Sequence, residues 1–352
     1  MVILSASFFL VLKLFIMNIL KTSMPLWLVI LICAGIGTGT FFLYSTKKME
    51  DQPDSLNINN NCGIVLMRAN KHGEFTRSLI MADTPNESND LLDLKNNIIE
   101  TINNAEVGGG ITRASVYYRV VESGKWIAVN SGEQFSIASI MKILTMIYHL
   151  RQNEQNPGWL NKKLKVVDLT QGNIQTYDGP KLEVGKEYSI EELMKHMIRY
   201  SNNNATANLN SLINFEQYRS LMEDIGISVP DPKAADYTLN CVECSRFLRV
   251  LYNTSVLNIK SSEYALKLLT ECTYQGGLLR QIADKKIKVA HKFGERFYTN
   301  ENQLHETSIF YLNDNPYLLT VLTAGKDTAQ EAVLIGEIGA LVYKYNTKPK
   351  AN

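Results

Sequence analysis

Three short clusters carry the residue types needed to activate a hydroxyl. Ser139-Ile140-Met141-Lys142 sets a serine and a lysine one helical turn apart on one face. A serine hydroxyl is a poor nucleophile until a neighbour takes its proton, and a lysine that is partly desolvated is neutral enough to act as that base. A helix N-terminus at the serine adds free backbone N–H groups where an oxyanion would form. Further on, Ser201-Asn202-Asn203 supplies a second hydroxyl flanked by amides, and Lys292-Phe293-Gly294 a second cation beside a glycine. Together these parts suit acyl transfer through a serine ester. Spacing alone does not select them: Ser45–Lys48, Ser55–Asn57 and Lys71–Gly73 repeat the same three patterns. Those copies crowd around a polar stretch with no apolar helix behind the serine, which sets them apart.

The elements around the second set are legible. Leu91–Asn103 is amphipathic and Gly108-Gly109-Gly110 ends it. Thr112–Val121 and Lys125–Val129 are rich in β-branched and aromatic residues, with Ser123-Gly124 between them as a hairpin turn. FSIASIMKILTMIYHL follows as an apolar helix. From about Arg151 to Gly277 the pattern is mostly helical, with Ser189-x-x-Glu192 as a capping box. Lys286–Lys292, Glu306–Leu312 and Tyr317–Thr323 read as strands, and Asp327-x-x-Gln330 caps a last helix through Tyr345. The expected fold is α/β of the α+β kind: one antiparallel sheet built from both chain ends, flanking helices, and an inserted all-α subdomain over about 151–277. The hydrolase-like domain is expected over 91–352. Tyr117 and Trp126 are expected in its core, and His291 and His305 in structural positions.

FSIASIMKILTM, IRYSNNNATANLN and VAHKFGE, in this order, resemble the S-x-x-K, S-D-N and K-T-G motifs of class A β-lactamases and related penicillin-binding proteins. SVYYR, GKEYSIEELM and PYLLTVLTAG extend the likeness from about Val116 to Tyr345. The resemblance implies that Ser139 attacks an acyl carbon while Lys142 accepts its proton. It implies an oxyanion hole from the N–H groups of Ser139 and Glu295, and a proton relay through Ser201 to the leaving nitrogen. Asn203 would hold Lys142 and the substrate amide. Lys292 would offer positive charge to a substrate carboxylate, Phe293 would shape the pocket, and Gly294 would let the strand approach the ligand. No cofactor or metal is implied. The ligand would be a β-lactam or a peptidoglycan peptide.

Three departures stand out. Asn202 occupies the aspartate position, where a structural role suffices. Phe293 occupies the hydroxyl position that holds the substrate carboxylate; strand alternation could aim it to make the pocket narrower and more apolar. No E-x-x-L-N segment follows the second motif: between Gly226 and Thr238 there is only Ile227–Tyr237, too short for the usual loop. Asp231 and Asp236 are the nearest carboxylates, with Glu223 and Asp224 on the preceding helix. Acylating residues are present and the known deacylating glutamate is missing, so an acyl-enzyme would form readily and clear slowly.

Three functions compete: a β-lactam hydrolase that admits water by another route, a peptidoglycan D,D-peptidase for which penicillin turns over slowly, and a non-catalytic binding domain on a degenerate hydrolase fold. A net charge of +1, from 36 basic and 35 acidic residues, offers nothing to a nucleic acid. The five cysteines include Cys33 in an apolar run and Cys241-x-x-Cys244 in a capped helix, which suits packing better than metal binding. Residues 1–48 are expected to form a membrane anchor of one or two apolar segments. Leu26–Leu43 is uncharged, flanked by Lys21 and by Lys47-Lys48, and just long enough to span. Residues 49–90 are expected to be a linker and an irregular segment. One span would set the catalytic domain outside the cytoplasmic membrane, in a bacterial envelope, the placement expected here; two spans would return it to the starting side.

Overall fold

The computed structural model describes residues 65–68, 79–170, 179–230, 236–284, 286–312 and 315–348. Strands β1 (Val65–Arg68) and β2 (Leu79–Asp83) form an antiparallel hairpin. Helix α1 (Leu92–Val107) leads into β3 (Ile111–Val120) and β4 (Trp126–Val129). A two-residue strand β5 (Phe135–Ser136) and a 3-10 turn (Ala138–Met141) precede α2 (Lys142–Gln155). Next come β6 (Lys163–Lys165), β7 (Glu187–Ser189), α3 (Ile190–Arg199), α4 (Asn203–Asn210), α5 (Phe215–Ile225) and β8 (Thr238–Leu239). Helices α6 (Cys241–Tyr252) and α7 (Ile259–Leu269) follow, then β9 (Lys288–Phe297), β10 (Asn302–Tyr311), β11 (Tyr317–Gly325) and α8 (Thr328–Thr347).

The main sheet has five antiparallel strands in the order β4-β3-β11-β10-β9, so both chain ends build it as expected. Side chains alternate across its faces. On β11, Leu318, Leu322 and Ala324 join the core shared with α2–α7, while Tyr317, Leu319 and Val321 join the core under α1 and α8. Both faces are therefore apolar at β11, which is why that strand reads as a near-continuous hydrophobic run. Strand β9 lies at the sheet's edge and carries the third motif beside the helical part.

The local signals act where they were read. Ser189 and Glu192 form a reciprocal capping box on α3, and Asn240 and Glu243 form another on α6. Such caps satisfy orphan N–H groups and are each worth about 1 kcal/mol. Asp327 caps α8 by accepting from the Ala329 N–H, and Gly109 and Gly124 take left-handed turns after α1 and between β3 and β4. Tyr117 is buried and stacks on the half-buried Trp126. Cys241 and Cys244 are buried in the core, and burial pushes their thiols up, Cys241 to about 11. They pack rather than react.

One boundary differs. Residues 65–68 and 79–83, expected in the linker, supply the paired strands β1 and β2. Ile80 and Met81 are buried in the core with α2–α7, and Asp83 accepts from Arg119 at 2.8 Å and from Arg249. The two clustered guanidiniums need that carboxylate, so the segment belongs to the domain. The expected anchor (1–48), the first part of the linker, Cys33, Cys62 and the repeated patterns at 45–48, 55–57 and 71–73 lie outside the described residues. Among the described residues no helix is long and apolar enough to cross a membrane.

Candidate active site

Ser139 does not open an α-helix; it sits inside the 3-10 turn that precedes α2. Lys142, three residues on, is the first residue of α2, and both it and Ser139 line the same cleft. Ala138 holds φ at +46°, a costly conformation for a residue with a Cβ. The surroundings force it. Ile137 and Ile140 are fully buried, the Ser136 N–H donates to Gln303 Oε1 at 3.0 Å, and His305 Nε2 lies 3.1 Å from the Ser136 carbonyl. His305 Nδ1 accepts from the Thr323 N–H, so Nε2 is the donor, and burial holds the ring neutral by pushing it down to about 4. This is the structural role expected of His305.

Lys142 lies on a helix buried on every side over residues 142–150. Its Nζ bonds the Ser201 carbonyl at 2.5 Å, Asn203 Oδ1 at 2.8 Å and Ser201 Oγ at 3.1 Å. Burial, and then the charge of Lys292, hold this amine well below the ordinary lysine range. A neutral amine has two N–H bonds and one lone pair. The Ser201 carbonyl and Asn203 Oδ1 take two N–H bonds and Ser201 Oγ meets the third position, so a proton taken up by the amine lies within reach of Ser201. Asn203 opens helix α4, and Ser201 lies just before its cap. Asn202 caps it by accepting from the Ala205 N–H at 2.8 Å, the structural use expected of that asparagine. His149 Nε2 meets the Leu209 carbonyl at 3.2 Å and Thr145 Oγ1 donates to Asn210, tying α2 to α4. Ser201 itself adopts φ +51° at the junction.

Lys292 is placed differently from expectation. It is 0% exposed. Its Nζ donates to Ser201 Oγ at 2.9 Å and to the Phe293 carbonyl at 2.8 Å, and lies 4.1 Å from the Phe293 ring centre. Burial pushes it down to about 8. A substrate carboxylate has no open path to this amine, which reaches the cleft through Ser201. Phe293 accounts for the seal: its ring stacks on Tyr274 at 4.1 Å and is 2% exposed. Gly294 has a clear necessity. A Cβ there would lie 2.7 Å from the Ile137 carbonyl oxygen and 3.1 Å from the Ser139 nitrogen. The strand backbone thus touches the turn that holds Ser139, with Glu295 next along it. His291, on the opposite face, bonds Glu306 at 2.6 Å, and Glu306 also accepts from the Leu278 N–H at 2.7 Å. Its expected structural role is visible there.

An open cleft of about 1180 Å³ lies over this cluster, lined by Ser139, Lys142, Ser201, Asn203, Phe293 and Glu295. Its lining also includes the apolar and aromatic residues Ile213, Phe215, Tyr218, Pro230 and Tyr237. Sequence reading missed these and also Thr145, Asn210 and Arg296. The position of Thr145, one turn after Lys142, was the one available signal. Glu295 is the sole acidic residue among the described residues of the lining. Asp236 is engaged elsewhere: Ser136 Oγ donates to it at 3.0 Å, the Tyr298 hydroxyl donates to its other oxygen, and Arg296 stands 3.6 Å away. Burial opposes its ionisation, but these donors keep the carboxyl below its usual range. Glu223 pairs with Arg219 and Asp224 with Arg151. Asp231 lies outside the described residues.

Solved structures that share this architecture include β-lactamases and PBP-A. A β-lactamase from Chitinophaga pinensis DSM 2588 superposes with TM-score 0.62 at 17% identity, over 72% of this chain and 100% of its own. An ancestral class A β-lactamase gives 0.58 at 20%, over 70% and 99%. A point mutant of PBP-A, as its acyl-enzyme complex with penicillin G, gives 0.60 at 16%, over 73% and 98%. Residues 95–346 match the model of the beta-lactamase enzyme family, and the protein belongs to that family. No curated protein sequence matches the chain.

Proposed function

We propose that the protein is an acyl-serine enzyme that opens β-lactam amide bonds at Ser139, acylating quickly and deacylating slowly, with a peptidoglycan peptide as the related natural acyl donor. The observation that carries this reading is the buried Lys142 amine, held below the ordinary lysine range and hydrogen-bonded to Ser201 and Asn203. Ser139 Oγ would attack the carbonyl carbon as its proton passes to Lys142 Nζ. The oxyanion would rest on the N–H groups of Ser139 and Glu295, each such donor contributing roughly 3–4 kcal/mol in the transition state. As the C–N bond breaks, Ser201 gives its proton to the nitrogen and is resupplied from Lys142, 3.1 Å away. Lys292 steadies the charge on Ser201. The slow second half follows from the lining: water needs a base, and the described carboxylates named for that place are engaged elsewhere.

Rapid mixing with nitrocefin is expected to give a burst of about one equivalent, followed by turnover at least ~100-fold slower than the burst. Linear turnover with no burst would instead support efficient hydrolysis. The absence of any reaction, across several β-lactams, would support a non-catalytic binding domain.

The apolar run Leu26–Leu43 is the support for an N-terminal tether, and a single span there would place the domain outside the cytoplasmic membrane. Protease added to intact spheroplasts is expected to digest the domain; full protection would place it inside.

A further inference from the structure

The sealing of Lys292 leaves the acidic end of a ligand without its expected partner, and another cation faces the cleft. Among the described residues of the lining, two are basic, Lys142 and Arg296. Lys142 is buried and its hydrogen bonds are used. Arg296 lies two residues beyond Gly294 on β9, so both residues share the strand face that meets the Ser139 turn. Its side chain is 48% exposed. It is held loosely: the Asp236 contact is 3.6 Å, and the guanidinium carbon stands 5.4 Å from the Tyr298 ring centre. Asp236 has its own donors in Ser136 and Tyr298, so Arg296 can turn away without leaving that carboxylate bare. Resting on the acyl-serine reading above, we infer that Arg296 binds the substrate's carboxylate, taking over the task that Lys292 and the missing hydroxyl at position 293 would share. A guanidinium suits this because its fork matches a carboxylate with two parallel N–H bonds.

The test compares benzylpenicillin with its methyl ester, in which the carboxylate is masked, by the rate at which each forms a covalent adduct. With the wild type, the free acid is expected to react faster than the ester. Arg296→Ala is expected to slow the free acid by about 10- to 100-fold and leave the ester unchanged, with Arg296→Lys between. An equal loss with both compounds, or no loss with either, would overturn the assignment while leaving Ser139 acylation intact. If the wild type forms no adduct with either compound, the acyl-serine reading itself fails and the assignment falls with it.

Discussion

Replacing Lys142 with methionine is expected to slow adduct formation at Ser139 by about 10²- to 10⁴-fold, the usual contribution of a positioned general base. Methionine keeps most of the volume, so α2 should remain packed, and circular dichroism would check this. The loss has a chemical cause: with no lone pair beside it, the Ser139 hydroxyl keeps its proton at neutral pH. The pH profile gives a second readout. Lys142 sits well below the ordinary lysine range because of burial and the neighbouring charge of Lys292, which favours its basic form. Acylation should therefore fall only as the pH drops through that lowered value and protonates the amine. Lys292, pushed down to about 8 by burial, loses its proton on the other side. Above about pH 8 its charge on Ser201 fades, and the rate should decline again. Second-order acylation rates measured across pH should form a bell whose acid limb disappears in the methionine variant.

Gly294→Val is expected to lower acylation by about 100-fold or more. The added Cβ would meet the Ile137 carbonyl at 2.7 Å and the Ser139 nitrogen at 3.1 Å, and both are backbone atoms that cannot rotate aside. Relief requires β9 or the 3-10 turn to shift by a few tenths of an ångström to an ångström, and misplacement on that scale costs roughly 10²-fold in a pre-organised site. Because Gly294 lies on an edge strand, the sheet can absorb the shift with the fold retained. Stopped-flow acylation together with a thermal melt separates the two effects: a large rate loss with a small change in Tm is the expected pattern. Unchanged acylation would mean that the strand does not set the oxyanion geometry.

The sheet, its two-ended assembly and the helix starts were legible because they are written in local terms: period-two apolar runs, capping residues and turn glycines. The three chemical clusters were legible by order and context, since a buried helix, an inserted subdomain and an edge strand must each bring one of them. What escaped the sequence was set by distant packing. Leu79–Ala82 is too short an apolar run to announce that Asp83 will hold Arg119 and Arg249. The Ser139 turn is 3-10 rather than α because neighbours from β9 and β10 clamp it. Lys292 reads as an available cation until Tyr274, far away in sequence, is seen to press Phe293 over it. Arg296 carries no motif and gains its position only from the strand that Gly294 brings against the turn. Asp236 was one of the nearest carboxylates in the sequence, and its oxygens serve Ser136 and Tyr298.

The most direct test is peptide mass mapping of the protein after brief exposure to a penicillin. A single acyl mass added to the peptide containing Ser139, absent in Ser139→Ala and persisting for minutes after removal of excess drug, is the predicted result. Acylation elsewhere, or none with a folded protein, would contradict the claim that this serine and the Lys142 amine form a reactive pair.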